Sequence, residues 1–360
     1  FSNVKYISPE DHELICKRSR VDEQDILFAM IGTIGNPVLV EDIQNEFSIK
    51  NVGLFKPNRK IVDSKYLYYY LSSPIYLEPL IGNAKGSTQK FVSLGVLRKS
   101  PIILPPINEQ KRIAEKIERL FARIDEAKRL IEEVKESIEL RRTAILDKAF
   151  KGQLGTNDPN EKSMLETSNN INEKDLIPKE EQPYEVPENW VWVRLEAAKK
   201  DEQGFGDGDW ILSKHIDSNG SVRLIQLSDI GVGEFLNKSN KYITDKTFEE
   251  LECTEILPGD ILISRMADPI ARSCIVPDLN QKLITAVDIA FLRVNEKIYN
   301  KKFLNYLFNT KSFKRRAERL ARGTTRLRIT RKNLANLPIP MPPVHEQKRI
   351  AEKVDNLLSK

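Results

Sequence analysis

Pro101–Ile117 reads PIILPPINEQKRIAEKI, and Pro338–Val354 reads PIPMPPVHEQKRIAEKV. Of these 17 positions 12 are identical, and three of the five changes exchange similar apolar residues. Chance does not produce such a match between segments 237 residues apart, so the chain contains two copies of one unit. Two similar surfaces on one chain suit a partner that has a repeat of its own, such as duplex DNA.

The repeat extends upstream of these two segments. Four further pairs match at offsets between 235 and 237: Lys5–Ser8 with Lys241–Thr244, Asp25–Leu27 with Asp260–Leu262, Lys65–Leu71 with Lys302–Phe308, and Gly86–Gln89 with Gly323–Arg326. Between these pairs the copies diverge strongly. A shared scaffold with divergent content indicates two domains of one shape with different specificities.

The pattern of apolar runs and turns predicts an α+β fold with two similar globular domains, each followed by a long helix. The predicted segments are a first domain at 1–104, a first repeated helix at 105–150, a linker at 151–183, a second domain at 184–337 and the start of a second repeated helix at 338–360. Ile102–Leu104 is expected to be the last strand of the first domain, since Pro105 and Pro106 remove backbone donors. The linker is poor in apolar residues, and we expect it to be mobile.

Compared with the second copy, the first lacks roughly fifty residues at its start. The second helix ends sooner than the first. We therefore expect the chain to be truncated at both ends.

Asn108 to Phe150 carries a heptad seam, which predicts a helix that pairs with another helix. Its apolar positions follow a strict spacing of four and three residues: Ile113, Ile117, Leu120, Ile124, Ala127, Ile131, Val134 and Ile138. The second copy begins the same seam with Ile350, Val354 and Leu357. The simplest partner is the repeat's own second helix, and the predicted arrangement is an antiparallel coiled coil.

Composition excludes several classes of protein. No run of 18 apolar residues is present, so we predict no membrane span. Three scattered cysteines, Cys16, Cys253 and Cys274, favour a reducing compartment over a disulfide framework, and we expect a cytoplasmic location. The net charge of +5 is a weak sign of an anionic partner.

The distribution of charge in the second copy is more informative. Between Lys311 and Lys332 there are ten basic residues and one acidic residue, Glu318. Guanidinium groups, hydroxyls and a glycine of this stretch suit contacts with phosphates and with guanine edges. The predicted DNA-binding residues here are Arg322, Thr324, Thr325, Arg326 and Arg328. The alternative is an ordinary basic surface.

The first copy has a less basic counterpart with the same order of glycine and hydroxyl residues. Its predicted DNA-binding residues are Lys85, Ser87, Thr88, Gln89 and Lys90; Gln89 could recognise adenine. Arg265 and Arg272 follow a predicted strand and are further candidates, with surface salt bridges as the equally good alternative.

No catalytic, metal or cofactor site is predicted. Gly204–Asp209 resembles a nucleotide-binding loop only superficially, because no strand leads into it and no helix follows. We interpret it as a flexible turn, with a DNA-facing loop beside Trp210 as the alternative. The three histidines do not have the spacing of a zinc site. Neither a methyltransferase tetrapeptide of the Asn/Asp-Pro-Pro-Tyr/Phe kind nor a Walker loop occurs.

The paired motifs Pro105–Gln110 and Pro342–Gln347 carry a resemblance that covers nearly the whole chain. Two divergent domains that each end in a Pro-Pro-x-x-Glu-Gln helix resemble the specificity subunits of type I restriction-modification systems. Val186–Trp190 looks like the opening of a recognition domain in this family.

This resemblance implies that each domain recognises one half of a split DNA sequence and that the paired helices set the distance between the halves. It also implies a non-catalytic subunit whose partners are double-stranded DNA, methyltransferase subunits that modify adenine N6, and restriction subunits that translocate DNA. A protein-interaction scaffold that uses only the coiled coil is the alternative.

Overall fold

The computed structural model describes residues 5–86, 90–154, 157–167, 171–266 and 269–359. The chain forms two compact units, Phe1–Glu133 and Val134–Lys360. The boundary between them falls inside one long helix.

The first unit combines a small sheet with helices. Its elements in chain order are α1 (Pro9–Ser19), β1 (Ile26–Ala29), β2 (Gly35–Leu39), β3 (Val52–Phe55), α2 (Ser64–Ser72), α3 (Pro74–Gly82), α4 (Leu94–Lys99) and α5 (Ile107–Phe150), the last of which continues into the second unit. β1 is the central strand and pairs antiparallel with β2 and β3. Its Ile26 and Phe28 are buried against Leu71 of α2 and Tyr76 of α3.

The second unit contains more strands and three further sheets. Its elements after α5 are α6 (Met164–Thr167), β4 (Val191–Arg194), β5 (Phe205–Asp207), β6 (Val222–Ile225), β7 (Lys241–Ile243), α7 (Asp245–Glu250), β8 (Ile261–Ser264), β9 (Ser273–Ile275), β10 (Leu283–Thr285), β11 (Ile289–Leu292), α8 (Lys301–Phe308), α9 (Lys311–Leu320), α10 (Arg331–Ala335), β12 (Pro338–Met341) and α11 (Val344–Leu358). Its sheets have the orders β10-β6-β7, β5-β11-β8-β9 and β12-β4.

The two units are built on the same frame. In each, a central strand pairs antiparallel with two neighbours: β1 with β2 and β3 in the first, β8 with β9 and β11 in the second. Three helices then follow in the same order, α2 to α4 and α8 to α10, and a long helix begins after the paired prolines. The strands β6 and β7 form, with β10, a sheet that belongs to the second unit.

A buried glutamine joins each long helix to its domain. The Gln110 side chain accepts a hydrogen bond from the Asp63 N–H (2.9 Å) and donates to the carbonyls of Ile61 (2.9 Å) and Pro105 (2.8 Å). All three partners are backbone groups. We call this set of bonds the glutamine joint.

The second unit repeats the glutamine joint bond for bond. The Gln347 side chain accepts from the Asn300 N–H (2.8 Å) and donates to the carbonyls of Ile298 (2.9 Å) and Pro342 (2.8 Å). Both glutamines are fully buried. The joint explains why the Glu-Gln pair recurs in the sequence: the amide satisfies backbone groups that would otherwise be buried without partners.

A second repeated feature is a buried aspartate next to the central strand of each unit. Asp25 accepts from the Asp22 N–H and pairs with Lys56, and Asp260 accepts from the Leu257 N–H and pairs with Arg293. Both aspartates are buried, so each ion pair compensates for removing a charge from water.

The heptad spacing correctly predicted one continuous helix, since α5 runs without a break from Ile107 to Phe150. Its seam residues Leu120, Ile124, Ile131, Val134 and Ile138 are 47–58% exposed. Ile113 and Ile117 are partly buried. In α11, Ile350 and Val354 are buried in the core of the second unit, and Leu357 is half-buried. Pairing of the two seams therefore stays a prediction.

Two expectations from the sequence about local structure are wrong. Ile102–Leu104 is not a strand, although its equivalent in the second unit is β12. The physical reason is the absence of a paired strand beside it within the described residues. Gly204–Asp209 is not a turn but contains β5, which pairs with β11; Gly206 is needed because a Cβ there would lie 2.6 Å from the Phe291 ring.

The linker is packed rather than free over the parts described. Met164 is buried in the core of the second unit, and the Ile177 N–H donates to the Trp192 carbonyl at 2.9 Å. Arg349 of α11 forms a two-bond ion pair with Glu161 (2.9 and 2.7 Å). A few apolar residues and one ion pair thus hold a segment whose average composition is polar.

Candidate nucleic-acid interface

Arg322–Arg328, which we call the basic loop, is a tight hairpin with an exposed tip. Backbone hydrogen bonds join Arg322 and Arg328 in both directions (3.0 and 2.9 Å). Gly323 has a φ of +133°, and a Cβ there would lie 2.2 Å from the Arg326 carbonyl oxygen, so only glycine fits. Thr324, Thr325 and Arg326 are exposed at the tip.

The base of the basic loop is held on the central strand of the domain. Arg328 bridges Met266, and the Ile329 N–H donates to the Arg265 carbonyl at 2.9 Å. Since β8 ends at Ser264, the loop is presented directly at the end of this strand. A rigid support of this kind positions side chains better than a free loop does.

Arg265 lies under the basic loop and not on its surface. It is 6% exposed, pairs with Asp207, and donates to the carbonyls of Ile329 (3.1 Å) and Val287 (3.2 Å). Burial lowers the pKa of the guanidinium. These contacts join β5, β8 and the loop, which is a structural role that the sequence does not distinguish from DNA contact.

Arg272 is also engaged with its own domain. Its guanidinium donates to the carbonyls of Ile230 (2.9 Å), Leu227 (3.0 Å) and Pro269 (3.2 Å). These backbone acceptors lie on two segments, the turn Leu227–Ile230 and the loop that leads into Arg272, and the guanidinium joins the two. The position thus favours an organising role for this residue as well.

Of the three arginines in the basic loop, Arg326 is the one whose guanidinium points to solvent without a partner among the described residues. Arg328 is half-buried, donates to the Val287 carbonyl (3.1 Å) and lies 3.3 Å from an oxygen of Asp288. Arg322 is exposed and donates to the carbonyls of Ala321 and Arg319 (3.1 and 3.4 Å). Arg326 is therefore the guanidinium most available to a phosphate or a base edge.

The basic run is not uniform on the surface. Seven of its ten cations are exposed: Lys311, Arg315, Arg319, Arg322, Arg326, Arg331 and Lys332. Arg316 is turned inward over the rings of Trp192 and Phe313, and burial lowers its pKa to about 10. Burial likewise lowers the pKa of Lys314 to about 8. The sequence alone overstates the charge that an anionic partner meets.

Trp210 is the functional candidate that sequence reasoning undervalued. It is 66% exposed and follows Asp209, whose backbone pairs with the Thr285–Ala286 segment. The basic loop contacts the next residue, Val287, through Arg328. Asp209, the neighbour of Trp210, and Arg328 of the basic loop thus contact consecutive residues of one segment, Thr285 to Val287. The signal available in the sequence was a tryptophan that directly follows a glycine-rich stretch, Gly204–Asp209.

The equivalent loop of the first domain, Lys85–Phe91, has the same base. Backbone hydrogen bonds join Lys85 and Phe91 in both directions (3.1 and 2.8 Å), and the Val92 N–H donates to the Met30 carbonyl (2.8 Å). Lys85 and Lys90 are exposed. Ser87, Thr88 and Gln89 lie outside the described residues. The two loops thus occupy corresponding places in the repeat.

Two further properties concern the part of the chain that the structure describes. No group of three or more histidine, cysteine, aspartate or glutamate side chains there could hold a metal ion. None of the helices described is long and apolar enough to cross a membrane.

The frame and the loops define a class of protein with two like-built domains that each present a basic or polar loop. Comparison with family models gives the family: "Type I restriction modification DNA specificity domain" matches residues 3–136 and 198–360. The chain belongs to this family. The resemblance inferred from the paired motifs is thereby confirmed, as is the fold class of two mixed helix-and-strand domains with a long helix.

Individual relatives agree with this assignment. The chain is 26% identical to the type I restriction enzyme MjaVIII specificity subunit of Methanocaldococcus jannaschii, over 98% of this chain and 76% of the relative. It is 26% identical to the EcoBI specificity subunit of Escherichia coli, over 83% of this chain and 60% of the relative. The chain thus spans less than two thirds of the EcoBI subunit.

Two solved structures share the fold. A chain from a study of complex assembly and conformational transition in a type I restriction-modification system has a TM-score of 0.69 at 21% identity, covering 95% of this chain and 75% of that one. The HsdS subunit from Thermoanaerobacter tengcongensis has a TM-score of 0.56 at 22% identity, covering 94% and 74%. At these identities the likeness shows the fold alone.

Proposed function

We propose that the chain is a non-catalytic specificity subunit that recognises a split sequence in double-stranded DNA, one half with each domain. The observation that carries the proposal is the pair of hairpin loops at corresponding places of the repeat, Lys85–Phe91 and the basic loop. One scaffold that presents two loops of different sequence is what recognition of two different half-sites requires.

The chemistry of the second loop suits DNA in two ways. Exposed lysines and arginines beside the loop neutralise phosphates and fix the position of the domain on the duplex without selecting a sequence. Arg326 at the tip can make a bidentate contact with guanine, and the hydroxyls of Thr324 and Thr325 can contact either a base or a phosphate. The exposed Trp210 of the same domain offers an aromatic face to the same partner. In the first domain, Lys85 and Lys90 are exposed cations, and Gln89 stays the predicted contact with adenine.

The remaining partners follow from the family. A specificity subunit of this kind directs methyltransferase subunits, which modify adenine N6, and restriction subunits, which translocate DNA, to the chosen site in the cytoplasm. The seam of α5 pairs with a second helix and sets the spacing of the half-sites. The names of the relatives support this assignment, since each is called a specificity subunit of a type I restriction enzyme.

The test begins with the target sequence. Methylation-sensitive sequencing of the source genome gives split motifs with modified adenines, and duplexes that contain these motifs serve as probes. Arg326→Ala is expected to weaken binding by about 5- to 150-fold, the equivalent of one lost base contact of 1–3 kcal/mol. Lys246→Ala, which removes an 82% exposed cation from the same domain, is the matched control and should leave binding unchanged.

Salt dependence separates recognition from general attraction. The affinity of the chain for any duplex should fall steeply between 50 and 200 mM salt, because each neutralised phosphate releases counterions. Equal binding of target and scrambled duplexes, with no effect of Arg326→Ala on either, would contradict the proposed role of the basic loop.

A protein-interaction scaffold is the competing function, and the exposed seam of α5 is the observation that favours it. In that case Ile124→Asp would abolish assembly with the partner subunits, while deletion of residues 324–327 would change neither assembly nor DNA affinity. The comparisons do not favour this function, because the relatives are named for specificity.

A further inference from the structure

A row of three side chains crosses the base of the loop Lys85–Phe91. Phe91 lies opposite Lys85 on one side and opposite Ile31 on the other, in two antiparallel bridges. Residues directly opposite each other in an antiparallel pair point to the same face, so the three side chains form one continuous surface. We call this set the first row.

The first row faces away from the core of its domain. Successive residues of an extended segment point to opposite faces. Val92, next to Phe91, is buried in the core, and Met30, next to Ile31, packs against it. Phe91 and Ile31 are themselves 42% and 43% exposed. Two large apolar side chains that lie side by side on a surface indicate a contact with a partner.

The second unit has the equivalent row, and there it is basic. Arg328 lies opposite Arg322 and opposite Met266 in the same two bridges, and we call this set the second row. Arg322 is exposed, and Arg328 and Met266 are half-buried. The second row lies at the surface of a unit that also contains the strands before β8. The accessibility of this position is therefore a property of the shared frame and does not depend on those strands.

The charge around the two rows differs in the same sense. Four exposed cations of the basic run are replaced in the first copy by residues without a positive charge, at the repeat offset of 237: Lys311 by Pro74, Arg315 by Glu78, Arg319 by Gly82 and Arg331 by Leu94. The first domain thus offers an apolar contact where the second offers guanidinium groups.

We propose that the first row recognises thymine in the major groove, through contact of Phe91 and Ile31 with the C5-methyl group. The inference rests on the proposed function and adds the base chemistry that the first domain selects. The thymine methyl group is the apolar feature among the base edges of the major groove, and phenylalanine is one of the side chains that contact it. Lys85, at the end of the same row, contacts a phosphate and holds the row against the bases.

The two half-sites should therefore depend differently on thymine methyl groups. In the second row Arg328 takes the place of Phe91, and a guanidinium gains from acceptors such as O6 and N7 of guanine. Loss of a methyl group should weaken binding in the half-site of the first domain only.

The experiment replaces thymine by deoxyuridine, which removes the C5-methyl group and keeps the base pair. Duplexes with the motif found by sequencing of modified adenines carry this replacement at one thymine at a time. Fluorescence anisotropy with the full chain should show about fourfold weaker binding for each contacted methyl group, the effect of losing one buried carbon group. Because no charge is removed, the salt dependence should be the same for both duplexes.

Two variants connect this effect to the first row. Phe91→Ala should abolish the difference between thymine and deoxyuridine duplexes, because the ring that contacts the methyl group is removed. Ile31→Ser should reduce the difference, and circular dichroism shows whether each variant is folded. Val38→Ala, which shortens a 57% exposed apolar side chain on β2 of the same unit, is the matched control and should keep the difference.

Three outcomes would overturn the inference. Target binding that deoxyuridine leaves unchanged in both halves would do so while the proposed function stands, and so would a methyl effect that persists in folded Phe91→Ala and Ile31→Ser variants. Loss of a partner subunit from the assembled complex in Phe91→Ala, with the methyl effect unchanged, would assign the first row to a protein partner. Equal binding of target and scrambled duplexes by the natural chain is a different result, since it would refute the proposed function itself.

Discussion

Arg265 and Arg326 have the same side chain and opposite surroundings. Arg265 is nearly enclosed and bonded to Asp207 and to two carbonyls, whereas Arg326 extends from the tip of a hairpin. Both were candidates for DNA contact, Arg326 from the run of basic residues and Arg265 from its place after a predicted strand. The residue type alone therefore does not separate a guanidinium that holds loops together from one that meets a ligand.

The two arginines should differ in their effect on stability. Arg265→Ala leaves Asp207 and two buried carbonyls without their donor, and we expect it to lower the free energy of unfolding by about 3–5 kcal/mol. Arg326→Ala should change it by less than about 0.5 kcal/mol, because an exposed side chain without partners is removed. Urea titration followed by tryptophan fluorescence measures both. A destabilised Arg326→Ala variant would contradict this division of roles.

Asp209 gives the second domain a dependence on pH. Burial raises the pKa of its carboxyl from 3.8 to about 6, against the opposing effect of hydrogen bonds from Thr254 and Cys253. The folded state thus holds this proton more tightly than the unfolded state. The associated stabilisation is complete below about pH 4 and is lost as the pH rises through about 6.

Asp209→Asn removes the titrating group while keeping one acceptor oxygen. The Tm of the natural chain minus that of the variant should therefore decrease by a few degrees between pH 4.5 and 7.5. Calorimetry of both proteins over this range measures the difference. A difference that stays constant would show that Asp209 titrates at its ordinary value.

At the scale of elements, the glutamine joint is the contact that fixes where each long helix begins. Gln347→Leu leaves the Asn300 N–H and the carbonyls of Ile298 and Pro342 buried without partners, which should cost about 2–4 kcal/mol. All three tryptophans of the chain (Trp190, Trp192, Trp210) lie in the second unit, so tryptophan fluorescence in urea reports on that unit.

Gln110→Leu is the matched control for this experiment. Its bonds are all made within the first unit, and it should leave the tryptophan-monitored transition in place while lowering the stability of the first unit seen by hydrogen exchange. Equal shifts of the tryptophan transition in both variants would contradict the prediction that each glutamine joint stabilises only its own unit.

Elements with a strong periodic signal were predicted well from the sequence, and those that depend on a distant partner were not. The seam from Ile113 to Ile138 repeats over several turns, so local spacing alone determines a helix. Ile102–Leu104 has the composition of a strand, yet a strand exists only where a neighbour pairs with it. The prediction of a mobile linker was wrong for the opposite reason. Its average composition is polar, but Met164 and Ile177 make tertiary contacts that an average does not show.

The candidate site was predicted in outline. The repeat and the run of charges located both loops, because glycine and basic residues stand at corresponding positions. Which cations face outward could not be predicted, since Arg316 and Arg265 are turned inward by partners far away in sequence, Trp192 and Asp207 respectively. Only the tertiary fold brings these groups together.

At the scale of the whole molecule, the proposed spacer role of α5 makes a prediction about target length. Duplication of Ala127–Glu133 adds seven residues, which lengthens a helix by about 10 Å and keeps the seam in phase. Because base pairs rise about 3.4 Å along the duplex, the gap between the half-sites should grow by about three base pairs. Sequencing of modified adenines in cells that also carry the matching methyltransferase subunits measures this gap.

A five-residue duplication serves as the control. It rotates the following part of the helix by about 140° and interrupts the seam, so modification should be lost. An unchanged motif after the seven-residue duplication would show that α5 does not determine the spacing.

The glutamine joint has a consequence for how such chains diversify. Its bonds reach only main-chain atoms, so it makes no demand on the side chains of the domain to which it is attached. A gene segment encoding one recognition module could be exchanged for another at the Pro-Pro-x-x-Glu-Gln border, because any incoming module brings main-chain groups that the same helix glutamine can bind. New specificities would then arise by exchange of recognition domains, without a compensating change in the long helix.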